Sequence, residues 1–264
     1  MKPHPAASKA PRSGRYMAGI AACRETVQAT QALRYRIFAH EMGAKLHSRS
    51  NGLDDEEIDD YCDHLFVRDL KTGNIVACSR LLPDTAATRL GRFYSEGEFQ
   101  LDGVLALPGR FLEIGRTCVD PAHRGSVVLG TLWNGLAEYV HLHRFDYLMG
   151  CASISPGPSG FAVDAVYRRI SLDQFGPESL NVRPRQPVPM SLRCQRDESG
   201  IPPLLQAYLR LGCWICGDPC WDKDFNVMDV FVLLDLARLQ DRYEKRFIAP
   251  HVQEVAHGVL PALV

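Results

Sequence analysis

Hydrophobic and polar positions recur in patterns that predict a strand, a helix and a second strand in the middle of the chain. Residues 111–119 alternate and end at the turn signal Asp120-Pro121, as a strand does. From Val128 to Val140 the apolar residues recur at helical spacing, after a turn at Arg124-Gly125-Ser126. Residues 147–154 are almost continuously apolar. This order predicts a right-handed βαβ unit with two parallel strands.

The same patterns predict further elements on both sides of this unit. Strands are expected at residues 15–23, 64–67, 75–82, 214–216 and 227–234, with a Gly-Asn turn joining the second and third into a hairpin. Helices are expected at residues 25–39, 93–99, 160–170, 202–211 and 235–247.

Polar and proline-rich segments set the expected limits of the domain. Residues 1–14 predict a disordered arm, and residues 248–264 predict a weakly structured tail. Between them, residues 15–247 are expected to form one α/β domain. Within that domain, residues 171–200 contain several prolines and arginines, so we interpret them as an irregular insertion.

Composition narrows the class of protein without pointing to a chemistry. A chain of 264 residues can bury a substantial core without disulfides or metal. With 30 Lys and Arg against 31 Asp and Glu, the overall charge gives no reason to expect a nucleic-acid partner. Nine cysteines, mostly in apolar segments, favour a reducing compartment. The N-terminus resembles no secretory signal and no apolar run is long enough to span a membrane, so we expect a cytoplasmic protein.

The strand at 111–119 carries a carboxylate and a guanidinium three residues apart, Glu113 and Arg116. On a regular strand this odd spacing would place the two side chains on opposite faces. A bulge at Gly115 would bring them to one side, and bulges are common beside active sites. The alternative is a core strand with one ion pair.

Other charged residues lie at the ends of predicted elements. Arg34 and Phe38 share one helix face, and Asp60 and Asp63 precede a strand. Arg80 lies among apolar neighbours, so its buried charge requires a carboxylate partner. With Glu113 and Arg116, these charged residues are expected to line one pocket. A structural network that holds the N-terminal helix to the sheet explains the same residues. The acidic run 54–57 is interpreted as a solvated loop.

Two other patterns favour a structural interpretation. Cys213, Cys216 and Cys220 offer three sulfur ligands with no fourth, on a predicted strand, so no metal site is expected. His64 lies beside Asp63 at the start of a strand, where a hydrogen-bonded structural histidine is more common than a base.

The charged residues occur in the order and spacing of a known set of motifs. These are an Arg with Phe four residues later, two Asp three apart, a strand Arg and Glu-x-x-Arg, matched here by Arg34, Phe38, Asp60, Asp63, Arg80, Glu113 and Arg116. In these motifs, residues 15–247 resemble the ornithine–acyl carrier protein N-acyltransferases of the GNAT superfamily, which make lyso-ornithine lipid. That group is related in fold to the acyl-homoserine lactone synthases.

The resemblance implies an α/β GNAT fold. Its mixed central sheet of about seven strands is splayed between two parallel strands, here 111–119 and 147–153, with helices on both faces. The phosphopantetheine of the acyl donor enters the splay in this fold. Donor contacts are then expected from Thr117, Cys118, Val119, Arg124, Gly125, Ser126 and Ser153. The turn at 124–129 lacks the glycine pattern of many CoA-dependent members, which agrees with a carrier-protein donor.

The resemblance also implies an activity, the transfer of a (3-hydroxy)fatty acyl group from acyl carrier protein to the α-amine of ornithine. Glu113 would be the base, directly or through a water, with Arg116 as the second catalytic residue. Backbone N–H groups of residues 117–119 would stabilise the oxyanion. Asp60 and Asp63 would hold the cationic groups of the acceptor, Arg80 or Arg34 its carboxylate, and Phe38 would complete this substrate site. No bound cofactor is expected, because the phosphopantetheine thioester is a substrate.

The implied partners are an acidic carrier protein and an anionic membrane surface. A basic docking surface is expected from Arg124, Arg144, Arg168 and Arg169. The basic helix at 235–247 would make any peripheral membrane contact. The alternatives are a signal synthase that uses S-adenosylmethionine, an N-acyltransferase for another amino acid, and a non-enzymatic membrane-active protein.

Overall fold

A computed structural model describes residues 14–194 and 201–239. Its strands are β1 (Tyr16–Ile20), β2 (Asp63–Asp69), β3 (Ile75–Pro83), β4 (Phe99–Gln100), β5 (Phe111–Val119), β6 (Tyr147–Ile154), β7 (Arg183–Pro184), β8 (Trp214–Ile215), β9 (Cys220–Asp222) and β10 (Val227–Asp235). Its α-helices are α1 (Arg24–Tyr35), α2 (Asp84–Leu90), α3 (Asp102–Leu105), α4 (Ser126–His143), α5 (Val163–Arg168) and α6 (Pro203–Leu211).

The main sheet is mixed and has eight strands. Its order is β1-β2-β3-β5-β6-β10-β8, with β9 also paired to β10, and β5–β6 is the parallel pair. About seven strands are expected, and the extra one arises because two short strands share one edge. β9 pairs with residues 227–229 and β8 with residues 232–233 of β10. β4 and β7 form a separate two-stranded ribbon.

Helices cover both faces of the sheet, as expected. Along β2, Leu65 and Val67 cluster with residues of α4, whereas Phe66 between them clusters with Leu33 of α1. Side chains alternate across a strand, so α4 and α1 lie on opposite faces. The α5 and α6 helices pack with β10 through residues such as Val166, Leu209 and Val230.

The parallel strands β5 and β6 part midway. Their pairing covers Phe111–Glu113 against Tyr147–Met149 and no further. At the parting point, a Cβ atom on Gly150 would lie 2.4 Å from the carbonyl oxygen of Ile114. Only glycine allows this approach of two backbones, so β6 can leave β5 at this residue. The splayed sheet confirms the expected fold class.

The N-terminal helix changes its winding near the centre of the sheet. After α1, residues Arg36–Glu41 continue as a π-helix, and the N–H of Met42 donates to the carbonyl of Ile37 at 2.9 Å. The prediction of one regular helix over 25–39 was therefore incomplete. The π-turn carries Phe38, and such turns often occur at functional sites.

The end of the chain differs from the predicted closing helix. β10 runs through Asp235, which pairs with Tyr147, and its carboxylate then accepts a hydrogen bond from the N–H of Ala237 at 2.9 Å. A short 3₁₀ turn, Leu236–Arg238, follows. Because β10 continues to Asp235 and the Asp235 carboxylate caps the next turn, residues 235–238 do not form the first turn of the predicted helix. Residues 240–247 of that helix, the arm up to residue 13, residues 195–200 and the tail from 248 lie outside the described residues.

Two segments after β6 are less regular than a helical pattern suggests. The helix expected at 160–170 is reduced to α5, Val163–Arg168. Residues 171–194 contain three 3₁₀ turns and the two residues of β7. That residues 171–200 are an insertion in the domain stays a prediction. No helix in the described residues is long and apolar enough to cross a membrane. That residues 15–247 form one domain stays a prediction.

Candidate active site

A cavity of about 260 Å³ occupies the gap between the parted strands. β5 contributes residues 113–117 to its wall, and β6 contributes Cys151 and Ser153. Apolar side chains such as Ile58 and Leu82 form part of the wall, and several charged groups face the same space. The cavity therefore connects the opening between β5 and β6 with a group of charged side chains.

A β-bulge brings Glu113 and Arg116 to this one cavity. β3 pairs Cys78 with Cys118 and Arg80 with Gly115, so Arg116 and Thr117 together face Ser79. Arg116 takes the left-handed conformation, with φ 50°. The hydroxyl groups of Ser79 and Thr117 lie 2.8 Å apart across the bulge. The expected bulge is present, one residue later than the predicted position at Gly115.

Glu113 is a buried carboxylate held by a turn. It is 3% exposed, and it accepts hydrogen bonds from the N–H groups of Tyr94 at 2.6 Å and Ser95 at 2.7 Å, and from the Ser95 hydroxyl. Burial raises its pKa, although these hydrogen bonds act in the opposite direction. A carboxylate has about four acceptor positions, so three donors leave one position for a ligand.

Arg34 lies behind the cavity in a closed ion-pair network. Its Nε donates to Asp54 Oδ2 at 2.7 Å, and its Nη2 donates to Asp59 Oδ2 at 2.8 Å. All three side chains are 1% exposed. Burial acts to raise the pKa of Asp59, but Arg34 and Arg80 outweigh it and hold that pKa below its ordinary value.

Arg80 and Arg116 continue this network to the cavity wall. Both contact Glu56 Oε2, Arg80 at 2.7 Å and Arg116 at 3.2 Å. Arg116 Nε also lies 3.3 Å from Asp54 Oδ2. Burial opposes the ionisation of Glu56, yet the two arginines lower its pKa. The positive charges of Arg34, Arg80 and Arg116 are thus balanced by the negative charges of Asp54, Glu56 and Asp59.

Aromatic side chains surround the guanidinium of Arg116. Its Cζ lies 4.6 Å from the ring centre of Phe225, 5.1 Å from that of Tyr94 and 5.9 Å from that of Phe38. The Tyr94 hydroxyl accepts a hydrogen bond from Arg116 Nη1 at 3.2 Å. These contacts fix the guanidinium plane at the cavity. No local sequence pattern identified Tyr94 or Phe225 as residues of this site.

A second group of carboxylates lines the cavity, and sequence reasoning missed it. Oxygen atoms of Glu98, Asp222 and Asp229 lie within 4.8 Å of one another. The Ser153 hydroxyl donates to Asp229 at 2.6 Å. Burial, together with the Asp222 carboxylate, raises the pKa of Asp229 to about 6. An Asp in the middle of the apolar run of β10 was the one available signal.

Two predicted substrate residues lie away from the cavity wall. Asp60 is 60% exposed and pairs with Arg49 at 2.6 Å. Asp63 accepts a hydrogen bond from the Tyr139 hydroxyl at 2.5 Å. The arginines instead contact residues 54, 56 and 59, so the interpretation of 54–57 as a solvated loop was wrong for Asp54 and Glu56. The buried arginines pair with these carboxylates because the turn at residues 54–59 packs against the sheet. No local sequence pattern predicts that packing.

The predicted donor residues divide into two groups. Thr117 and Ser153 line the cavity. The Cys118 side chain points into the core, with its Sγ 3.6 Å from Cys78 Sγ, and Val119 packs against the cluster under α4. Only the backbone of these two residues is available to a donor.

The remaining donor residues form the turn into α4. Arg124 is half exposed and pairs with Glu41 at 2.6 Å. Gly125 is extended, with φ 175°, and Ser126 is the first residue of α4. This turn follows β5, so it lies at the splayed end of the strand pair.

Arg144 cannot flank the same opening as Arg124. It follows the last residue of α4, whose 18 residues span roughly 27 Å. It also precedes β6, so it lies where the two strands are still paired. Arg168 and Arg169 are exposed at the end of α5. The four arginines therefore do not form one surface around the cavity.

Neither His64 nor the three cysteines occupy the cavity. His64 is 3% exposed, its Nε2 lies 3.2 Å from the carbonyl oxygen of Asp59, and burial lowers its pKa. Cys213, Cys216 and Cys220 are buried in the core. The described part of the chain has one cluster of potential metal ligands, and it consists of the carboxylates Glu98, Asp222 and Asp229. None of these three cysteines belongs to it.

A sheet parted between two parallel strands, with a charged cavity in the gap, defines the acyltransferases of the GNAT class. The family described as "Acetyltransferase (GNAT) domain" matches residues 33–134. The chain is 34% identical to the L-ornithine N(alpha)-acyltransferase of Rhodobacter capsulatus over 87% of this chain and 93% of the relative. It is 32% identical to that of Rhizobium meliloti over 82% and 79%. The chain belongs to the L-ornithine N(alpha)-acyltransferase family.

Solved structures of distant sequence share the fold. The CoA-dependent acyl-homoserine lactone synthase BjaI aligns with a TM-score of 0.53 at 14% identity, over 93% of this chain and 95% of its own. The acyl-homoserine lactone synthase LasI aligns with a TM-score of 0.51 at 13% identity, over 92% and 100%. These similarities confirm the expected fold relationship. The ornithine acyltransferase relatives and the GNAT domain show that the protein is an acyltransferase.

Proposed function

We propose that this protein transfers a fatty acyl group from the phosphopantetheine thioester of acyl carrier protein to the α-amine of ornithine, which gives lyso-ornithine lipid. The relatives named above are ornithine acyltransferases. The single observation that carries the proposal is the cavity between the parted strands, in which Glu113 presents a buried carboxylate beside Arg116.

The proposed chemistry is an attack of a neutral amine on a thioester. The α-nitrogen forms a bond to the acyl carbon, the carbon–sulfur bond breaks, and the pantetheine leaves as a thiol. Glu113 accepts the amine proton, directly or through one water, at the acceptor position that its three donors leave open. It then gives this proton to the leaving sulfur, which forms the thiol and restores the carboxylate. Its raised pKa makes it a stronger base at neutral pH than an exposed glutamate.

The donor lies along the free edge of β5 in this proposal. Beyond Glu113, β5 has no pairing with β6, so backbone groups of residues 117–119 can bind the pantetheine amides and stabilise the oxyanion. The N-terminus of α4, with Gly125 and Ser126, can hold the phosphate of the prosthetic group. Thr117 and Ser153 add hydroxyl groups beside the thioester.

Arg80 and Arg116 line the cavity, and we assign the acceptor carboxylate to the guanidinium N–H groups that their contacts with Glu56 and Asp54 leave over. Arg34 acts from behind, because its donors are taken by Asp54 and Asp59. Phe38 packs beside Arg116 and completes the wall. Asp60 and Asp63 are not among the residues that line the cavity and are paired with Arg49 and Tyr139, so we assign the cationic groups of the acceptor to other partners.

The carrier protein and the membrane are the partners of this proposal. Arg124, Arg168 and Arg169 are exposed cations that suit an acidic carrier protein. The reaction takes place in the cytoplasm, and the amphiphilic product is delivered to the inner face of the membrane by a peripheral contact.

The test is an acyl-transfer assay with purified protein. 3-Hydroxyacyl carrier protein, or the matching acyl-CoA, is incubated with ornithine, with another amino acid or with S-adenosylmethionine, and the extract is analysed by mass spectrometry. We expect acyl-ornithine, formed faster from the carrier protein than from CoA. Formation of acyl-homoserine lactone instead, or of no amide above the uncatalysed rate, would overturn the proposal.

A further inference from the structure

Three segments that are distant in the sequence bring carboxylates to one side of the cavity. Glu98 precedes β4, Asp222 ends β9, and Asp229 lies on β10. β9 and β10 pair with Cys220 opposite Asp229, which places the two aspartates on neighbouring strands. The three residues line the same cavity as Glu113. We call Glu98, Asp222 and Asp229 the acidic triad.

The triad is built into the protein and is not a solvated surface cluster. Asp229 is 3% exposed. The Glu98 side chain has hydrogen-bonding contacts with Cys151 and Asp229, but its Oε2 atom is buried from solvent and has no partner among the described residues. Oδ1 of Asp222 accepts hydrogen bonds from the N–H groups of Asp224 and Phe225, which orient this carboxylate. A buried, unpartnered carboxylate oxygen is costly, so its presence at a cavity indicates a ligand.

Among residues 14–194 and 201–239, the groups that face the triad do not balance its charge. Arg116 is the cation that acts on both Glu98 and Asp229, but this guanidinium already pairs with Glu56 and Asp54. The thiols Cys151 and Cys220 and the phenol of Tyr94 are further titratable neighbours, and burial raises their pKa values, so they bring no positive charge. Without a ligand, burial and the neighbouring carboxylates favour a bound proton, since they raise the pKa values of Glu98 and Asp229.

The position of the triad relates it to the proposed reaction. Ser95 donates to Glu113, and its hydroxyl lies 3.5 Å from Cys151 Sγ, which neighbours Glu98. The triad is thus next to the proposed base, on the side of the cavity formed by β6 and β10. An acceptor with its α-amine at Glu113 and its carboxylate at Arg116 would direct its side chain along this wall.

We propose that the acidic triad is the subsite for the side-chain ammonium group of the acceptor, and that it makes the enzyme selective for diamino acids. A primary ammonium has three N–H donors and one positive charge, which suits three converging carboxylates. This inference rests on the proposed function, because that function supplies an acceptor with a second amine. Selectivity follows because a neutral side chain of equal length would leave the carboxylates unpaired.

The test compares ornithine with norvaline, which has the same chain length but no side-chain amine. Asp229→Asn and Glu98→Gln are studied in the full-length protein, with Asp224→Asn as the matched control. The Asp224 carboxylate is 47% exposed and pairs with His47 outside the cavity. Steady-state kinetics are measured for both acceptors, and calorimetry measures binding of both amino acids in buffers of different ionisation enthalpy.

We expect each triad variant to raise KM for ornithine by about 10- to 100-fold, the effect of losing a hydrogen bond to a charged group. kcat for ornithine and the kinetics with norvaline should change little, and Asp224→Asn should resemble the wild type. Ornithine binding to the wild type near neutral pH should release protons, because the ammonium displaces the proton held by the triad. Asp229→Asn should reduce that release.

Several results would overturn the subsite. One is an unchanged ornithine-to-norvaline preference in both triad variants, and another is an equal loss of kcat with both acceptors, which would make the triad the base. Tight binding of Mg²⁺ or Ca²⁺ that Asp229→Asn abolishes would make it a metal site. Absence of acyl-ornithine with the wild type would defeat the proposed function alone, and the binding comparison would still decide whether the triad recognises an ammonium group.

Discussion

Glu113 is the residue on which the proposed proton transfer depends. We expect Glu113→Gln to lower kcat by roughly 100- to 10,000-fold, the usual contribution of a general base. The amide cannot accept from all three donors, because its NH₂ group would face the Tyr94 or Ser95 N–H. The free energy of unfolding should therefore fall by about 1–3 kcal/mol. Turnover and urea unfolding are measured together, so that a loss of activity is not mistaken for a loss of fold.

Glu57→Gln is the control for this substitution, since Glu57 is an exposed glutamate near the same network. In the wild type, kcat/KM should rise with pH as Glu113 loses its proton, above the range of an ordinary glutamate. Glu113→Gln should remove that rise. Wild-type turnover in Glu113→Gln would exclude it as the base.

Arg34 tests the structural part of the charged network. Arg34→Ala leaves Asp54 and Asp59 buried without this partner, so we expect the free energy of unfolding to fall by about 3–5 kcal/mol. Arg36→Ala is the control two residues away, because Arg36 is 54% exposed and its 3.8 Å ion pair with Asp120 lies at the surface. A surface pair contributes about 0–1 kcal/mol. Chemical denaturation of both variants measures the difference, and equal effects would contradict the network.

At the scale of the elements, the parting of β5 and β6 depends on Gly150. Gly150→Ala would place Cβ 2.4 Å from the Ile114 carbonyl oxygen, a backbone atom that cannot rotate away. We expect a loss of stability of about 1–3 kcal/mol, together with lower turnover, because the cavity lies at this point. Thermal unfolding and the acyl-transfer assay measure the two effects.

Gly130 provides a control of opposite sign for the same substitution. It lies inside α4, and a Cβ there would have no neighbour within 4 Å. Gly130→Ala should stabilise the protein by roughly 0.5–1 kcal/mol through helix propensity. If Gly150→Ala behaves like Gly130→Ala, the close approach of the two strands is not a constraint on the fold.

For the whole molecule, the acidic triad implies a measurable pH dependence of stability. A carboxylate whose folded pKa is raised contributes stability below its unfolded pKa, and that contribution is lost as the pH rises through the folded value. For Asp229 this window runs from about 4 to about 6. From below this window to above it, the stability of Asp229→Asn relative to the wild type should rise by about 2–3 kcal/mol, because only the wild type loses the contribution of the protonated carboxyl.

The comparison of wild type with Asp229→Asn at each pH isolates this effect. Glu56 and Asp59 have lowered pKa values, so they lose stability as the pH falls below about 4. His64 also has a lowered pKa, and its contribution is lost progressively as the pH falls below about 6.5. Both effects cancel in the difference between the two proteins. Urea unfolding from pH 4 to 8 measures it, and a constant difference would contradict the raised pKa.

The amino-acid sequence alone determined most of the elements and their order. β5 spans the predicted residues 111–119, and β6 and α4 follow the predicted pattern. The spacing of apolar residues within one segment is enough to indicate which of its residues are buried. Glu113 and Arg116 could also be singled out, since a bulge between them would bring both side chains to one face of the strand. The family motifs led to the same strand.

The tertiary structure decided which charges meet. Arg34, Arg80 and Arg116 contact residues 54, 56 and 59 instead of Asp60 and Asp63, because a turn docks on the sheet at a position that no local pattern encodes. The triad joins residues 98, 222 and 229, which are remote in the sequence. Periodicity reports which face of an element is buried, whereas contacts between distant segments follow from packing in three dimensions.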